Sequence, residues 1–165
     1  MKKIGLISDT HGFLHPSVRK HFSNCDEIWH AGDIGSLTII DQLVEICPVR
    51  AVYGNIDGHE VRSEFPKHLR FSMEGVDTWI THIGGYPGHY DRRVFEEINH
   101  NPPELFICGH SHILKAIPDQ KLGLLHLNPG AAGKIGFHQV ITLMRFDIND
   151  GKVEHLEVIE LQKRI

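Results

Sequence analysis

Five short apolar runs, rich in β-branched residues and each broken off at a polar residue or glycine, constrain this 165-residue chain more than any other feature. They are Lys3-Ile4-Gly5-Leu6-Ile7-Ser8, Glu27-Ile28-Trp29-His30, Val49-Arg50-Ala51-Val52-Tyr53, Thr78-Trp79-Ile80-Thr81 and Leu105-Phe106-Ile107-Cys108. Near-continuous apolarity over so few residues is the pattern of strands covered on both faces. Between the runs, residues 16–22, 36–46 and 91–100 show helical spacing, with Pro16 suited to a first turn, Ser36 to an N-cap and Pro48 to the stretch just past an end. Beyond residue 110 the pattern changes to strands at 115–118, 122–127, 139–146 and 152–161, the last two joined by a hairpin turn at Asn149-Asp150-Gly151. The expected architecture is α/β: a pair of mixed sheets with helices outside, forming a single domain over residues 1–165.

Each of the five runs leads into a residue able to bind metal. Ser8 leads into Asp9-Thr10-His11, His30 towards Gly32-Asp33, Tyr53 into Gly54-Asn55, Thr81 into His82, and Cys108 into Gly109-His110-Ser111-His112. In a mostly parallel layout the carboxyl ends of strands share one rim, so these groups are expected to converge. Two Asp, one Asn and four His without a thiolate suit Mn, Fe, Zn, Co or Ni rather than calcium, and Mn is the favoured choice. Seven ligands exceed the needs of one ion. Two ions about 3.5–4 Å apart, sharing a carboxylate, would use them all and would suit in-line attack on phosphorus. The glycines before Asp33, Asn55 and His110 are expected to permit tight turns that aim short side chains inward. Of the 14 histidines, those outside this set are expected at the surface or in structural roles, with His30 either a donor behind Asp33 or a buried structural residue.

Composition narrows the function classes. A net charge of -4 offers no general attraction to nucleic acid or to an anionic membrane, so a phosphate-bearing ligand must be held locally. No stretch approaches the roughly 18 apolar residues of a membrane helix, and the apolar run after Met1-Lys2-Lys3 is shorter than the about 7 residues an export signal needs. Three scattered cysteines fit reduced thiols better than a disulfide framework. The cytoplasm is the expected compartment, the expected partner is a small phosphoester substrate, and no sequence feature points to a homo-oligomer.

The ordered set Asp9-Thr10-His11, Gly32-Asp33, Gly54-Asn55-Ile56-Asp57, His82 and Gly109-His110-Ser111-His112 resembles the motifs of the calcineurin-like metallophosphoesterases, in particular their small bacterial and archaeal phosphodiesterase branch. The resemblance implies a two-sheet β-sandwich flanked by helices. It implies that Asp9, His11 and His112 hold one divalent metal, that Asn55, His82 and His110 hold a second, and that Asp33 bridges them. Hydrolysis would then proceed by in-line attack of a hydroxide lying between the ions, with Asp33, Asn55 and His82 at the reacting centre. Two positions depart from the family pattern. Phosphatase branches often carry a histidine directly after Gly-Asn, where it protonates the leaving group; this chain has Ile56. Proton donation typically supplies a factor of about 10²–10⁴, so its loss favours diesters and good leaving groups over alkyl monoesters. Asp57 and His59 are fallback proton donors, and a phosphomonoesterase using one of them is the runner-up. Ile83 stands where relatives commonly have glycine, with Gly84-Gly85 following. A reading of another class is a protein-binding scaffold like the retromer subunit Vps29, which resembles the same family; the complete ligand set and the lack of an obvious exposed apolar segment speak against it.

Overall fold

The computed structural model describes residues 1–164; Ile165, the last residue of the expected domain, lies outside the described residues. The chain runs through β1 (Lys2–Ile7), α1 (Val18–Phe22), β2 (Glu27–His30), α2 (Leu37–Val44), β3 (Val49–Ala51) and α3 (His59–Glu64). It continues with β4 (His68–Met73), β5 (Val76–Thr81), the short pair β6 (Gly85–Tyr86) and β7 (His89–Tyr90), α4 (Arg92–His100) and β8 (Leu105–Ile107). Four strands close it: β9 (Lys115–Asp119), β10 (Leu124–Asn128), β11 (Val140–Asn149) and β12 (Lys152–Gln162).

The strands form two five-stranded sheets, ordered β12-β11-β1-β2-β3 and β4-β5-β8-β10-β9. The layout is mixed rather than mostly parallel. Only β1-β2-β3 in one sheet and β5-β8-β10 in the other pair in parallel, and every other pairing within these two sheets is antiparallel. Those parallel centres contain all five expected buried runs.

Alternation along the central strands explains the layers. Ile4 and Leu6 of β1 face the second sheet, packing with Trp29, Ile80, Leu105, Ile107, Met144 and Phe146. Ile7 faces the other way, into a layer with Phe22, Ile28, Ile39 and Leu43, so α1 and α2 cover that sheet. Phe106 and Trp79 point out from the second sheet and meet Val94 and Ile98 of α4. Each such side chain contributes roughly 1.5–3 kcal/mol when fully buried. Trp29 anchors the middle layer through edge-on contacts with Phe71 at 5.1 Å and Phe146 at 5.8 Å between ring centroids.

Local signals behave as their chemistry requires. Ser36 caps α2 by accepting from Thr38 N at 3.3 Å, and Asp91 caps α4 by accepting from Arg93 N at 2.9 Å. Asp150 and Gly151 both have positive φ, at 47° and 75°, as a two-residue hairpin between β11 and β12 demands. Three features carried no clear sequence pattern: α3, β4 and the β6–β7 ribbon. The six residues of α3 bury only Val61, and a helix that short owes its existence to its neighbours. In β4, a sheet edge, partly buried residues alternate with exposed ones and none is fully buried. No helix among the described residues is long and apolar enough to cross a membrane.

Candidate metal centre

All seven expected ligands follow the ends of β1, β2, β3, β5 and β8, the strands that make up most of the two parallel centres. Five of them hold the left-handed backbone that side chains rarely adopt: Asp9 (φ 54°), His11 (45°), Asp33 (55°), His110 (69°) and His112 (61°). Each such residue costs of order 1–3 kcal/mol, and concentrations of them mark functional sites. The turns are held by one another. Asp9 N donates to Gly32 O at 2.9 Å, His11 N to Asp33 O at 3.0 Å and Gly12 N to Ile34 O at 2.9 Å, joining the loops after β1 and β2. Gly109 N donates to His82 O at 3.0 Å, joining those after β8 and β5.

The glycines before three of the ligands act mainly through close approach, which refines the expectation of tight turns. Only Gly32 has a positive φ, 100°. A Cβ on Gly54 would stand 2.1 Å from Asp33 Oδ1, and one on Gly109 would stand 2.6 Å from Asp9 Oδ2. The carboxylates occupy the space that any side chain there would need.

Two ligand groups result. Asp9, His11 and His112 bring one ligand atom each within 4.8 Å of one another, as do Asp33, His82 and His110. In the first group, Asp9 Oδ2 is fixed by Ser8 Oγ at 2.7 Å and His110 N at 3.1 Å. Its Oδ1 faces His112 Nε2 at 3.1 Å and the Nε2 atoms of His11 and His82 at 3.8 Å. In the second, Asp33 Oδ1 accepts from Ile56 N at 3.0 Å, while Oδ2 lies 3.2 Å from His82 Nε2 and 3.6 Å from His11 Nε2. Asp33 therefore faces a histidine of each group. Asn55 joins the second group through His110, with its Oδ1 at 3.0 Å from Nδ1.

The atoms at the centre fit cations. Asp9 Oδ1, His11 Nε2 and His82 Nε2 are buried without a hydrogen-bonding partner in the protein, a condition that costs about 1–3 kcal/mol each. His82 Nδ1–H donates to Ala31 O at 2.7 Å, which leaves the Nε2 lone pair of the neutral ring aimed at carboxylate oxygens. A lone pair facing a carboxylate needs a positive charge between them. Protonation follows the same field. Burial works to raise the Asp9 carboxyl, but His11, His112, His82 and Ser8 outweigh it and hold it well below the usual range. Burial works to lower His82, but Asp33 and Asp9 prevail and raise it. His110 is lowered, by burial and by His82.

Behind the ligands stands a buried frame. His30 accepts at Nδ1 from Gly32 N at 3.1 Å and donates from Nε2 to Thr10 Oγ1 at 3.0 Å, and the Thr10 hydroxyl passes on to Ile34 O at 2.8 Å. Burial pushes His30 down to about 4, so it stays neutral and ties the Asp9 loop to the Asp33 loop. Asn128 Nδ2 donates to Gly109 O at 3.0 Å and to Ser111 Oγ at 3.2 Å, bracing the loop of His110 and His112. His138, expected at the surface or in a structural role, stands against His112 with ring centroids 5.6 Å apart and its Nε2 on Gly133 O at 2.7 Å. It lies far along the chain from the motifs, so only the fold brings it there.

The two fallback proton donors stand in different surroundings. Asp57 is buried and its carboxylate accepts from Ile34 N at 3.1 Å, Gly35 N at 2.8 Å and Gly54 N at 2.8 Å. Three amide protons tie both oxygens to the backbone, so Asp57 braces the Asp33 loop against the Asn55 loop. His59 is exposed at the start of α3. Ile56 itself is 47% exposed.

Comparison with known proteins agrees with this geometry. Residues 1–151 match the model of the calcineurin-like phosphoesterase superfamily domain. A probable metallophosphoesterase of Methanothermobacter thermautotrophicus is 32% identical over 139 residues, covering 78% of this chain and 76% of that protein. Among solved structures, a novel archaeal phosphodiesterase superposes with a TM-score of 0.71 at 23% identity, covering 96% of this chain and 99% of that one. Wild-type Vps29 of Entamoeba histolytica complexed with Zn²⁺ superposes with a TM-score of 0.73 at 17% identity, covering 98% and 99%. This chain belongs to the calcineurin-like phosphoesterase superfamily, a family of metal-binding phosphoester hydrolases.

Proposed function

We propose that this protein is a phosphodiesterase that uses two divalent transition metals, Mn favoured, to hydrolyse a small or nucleotide-like diester in the cytoplasm. Asp9, His11 and His112 hold one ion, Asn55, His82 and His110 the other, and Asp33 is shared, because its Oδ2 faces a histidine of each group. Bound there, the ions supply Lewis acidity to the phosphate oxygens and lower the pKa of a water for in-line attack. The chain supplies orientation. Ser8 and the His110 amide keep the free oxygen of Asp9 turned inward, and Ala31 O holds His82 in the tautomer that offers Nε2.

One observation carries the preference for diesters: an exposed isoleucine occupies position 56, and the neighbouring carboxylate of Asp57 is turned into the backbone. Ile56 carries no proton to give and the Asp57 carboxylate is engaged by amides, so leaving groups that depart as stable anions are preferred. The similarity to an archaeal phosphodiesterase supports this reading. The assay is turnover of bis-p-nitrophenyl phosphate and p-nitrophenyl phosphate after loading with Mn, Ni, Co, Zn or Fe. A higher kcat/KM for the diester is expected. A clear preference for the monoester would establish the phosphomonoesterase instead, and no turnover by folded, metal-loaded protein would refute both.

A scaffold reading has its own observation. Ile113, Ile135 and Phe137 are 56%, 60% and 101% exposed, and they flank His112 and the Gly136 that packs on its ring. No continuous apolar run marks these three residues. Retention of cellular function by Asp33→Ala would favour a Vps29-like protein-binding role.

A further inference from the structure

Beside the open edge of the metal centre lies a cavity of about 170 Å³, with Asn55 and His82 on its metal side and Arg62, Lys67 and Arg93 among its other walls. Whole-ligand pockets run to about 300–1,000 Å³, so this space accepts one substituent of a molecule bound next to it. No aspartate or glutamate lines it.

The charges on the three cations are not equally available. Arg93 Nη1 is spent on the Asp91 carboxylate, at 3.0 and 3.1 Å. Arg62 is held only by neutral groups: Nε donates to Asp57 O at 2.6 Å, Nη2 to Asn55 O at 3.3 Å, and the guanidinium lies 4.6 Å over the Tyr53 ring. Its position is set without neutralising its charge. Lys67 has no carboxylate within ion-pairing distance among the described residues. Two uncompensated cations thus converge on a space whose opposite wall is the metal centre, an arrangement that attracts a second anion linked to the first.

We propose that the substrate carries a second phosphate, or a dianion of similar size, and that this group binds in the cavity through Arg62 and Lys67. This rests on the phosphodiesterase reading and sharpens it: the substrate is a diester bearing a further phosphomonoester, such as a phosphorylated nucleotide diester. Bis-p-nitrophenyl phosphate, which lacks that group, leaves the cavity unfilled. Because Arg62 also holds Asn55 O, filling the cavity fixes the loop that carries Asn55.

Calorimetric binding separates this from catalysis. Thymidine 5′-monophosphate and thymidine 3′,5′-bisphosphate differ by one phosphate, and each is titrated into Mn²⁺-loaded and into EDTA-treated protein. The bisphosphate is expected to bind about tenfold tighter or more, an advantage that falls below about threefold in Lys67→Glu and in Arg62→Gln and shrinks as salt rises. Lys67 has an exposed, unpaired side chain, so its replacement leaves the fold intact even if Arg62→Gln disturbs Asn55. Lys152→Glu, on the β12 hairpin, should retain the advantage. Equal binding of both ligands, or an advantage that Lys67→Glu leaves untouched, overturns the proposal. Absence of diester turnover with the advantage intact would instead count against the phosphodiesterase reading alone.

Discussion

The half of the metal centre built around Asp9 is closed, whereas the half built around Asp33 is open. Asp9 is fully buried, and its ligand partners His11 and His112 expose only 10% and 19% of their side chains. Around Asp33 the pattern differs: His82 is buried, but Asn55 and His110 are exposed and the cationic cavity adjoins them. Both carboxylates follow the same rule, one oxygen tied to the protein and the other facing histidines. The difference lies in what surrounds them. On the proposed reading the closed half fixes its ion and the open half admits substrate.

The two halves meet at Asp33, whose Oδ2 faces a histidine of each. Asp33→Ala should cut diester turnover by about 10³-fold, several kcal/mol at 1.36 kcal/mol per tenfold, and reduce metal content from two ions per chain towards one. Unchanged content by elemental analysis would show that Asp33 is not shared. Each half can next be damaged separately. Gly109→Ala forces a Cβ against Asp9 Oδ2 and Gly54→Ala forces one against Asp33 Oδ1. Stepwise metal titration should show about 10–100-fold weaker binding at the closed half in the first variant and at the open half in the second. A single shared loss would mean that the halves are one unit.

Asp57→Asn tests the brace of the open half. Its amide cannot accept from Ile34, Gly35 and Gly54 as the carboxylate does, so unfolding should show a loss of about 2–4 kcal/mol. The pH–rate profile should keep its shape; disappearance of its acid-dependent limb would make Asp57 the proton donor after all. The smallest effect comes from outside both halves. His126 is buried like His82 but faces no carboxylate, and burial lowers it to about 4 from 6.5. Its neutral form is favoured in the folded state, so the unfolded chain takes up the proton first as pH falls below 6.5. The associated stability is present above that pH and is lost down to about 4, amounting to about 1 kcal/mol at pH 5.5. His126→Gln should flatten this part of the stability curve in thermal melts.

Much of the centre was legible because ligand chemistry is written in residue type and strand ends are written in apolar runs. Asp9, His11, Asp33, Asn55, His82, His110 and His112 each stand within four residues of such a run. Their supports were harder to read. Asp57 sits beside the Gly-Asn motif and looked like a spare acid, because a sequence cannot show that three amides point at it. His138 reaches the site from a β-rich segment that shares no motif with it.

The sequence by itself determined the element types at the centre of each sheet, the donor set and the family, since these depend on local apolar pattern and on side-chain chemistry. The tertiary structure alone decided which strands make up the two parallel triplets that share a rim, and that one half of the centre is closed while the other opens onto Arg62 and Lys67. Both depend on which strands pair across the molecule and on where side chains point once packed. Those are properties of contacts between residues far apart in the chain.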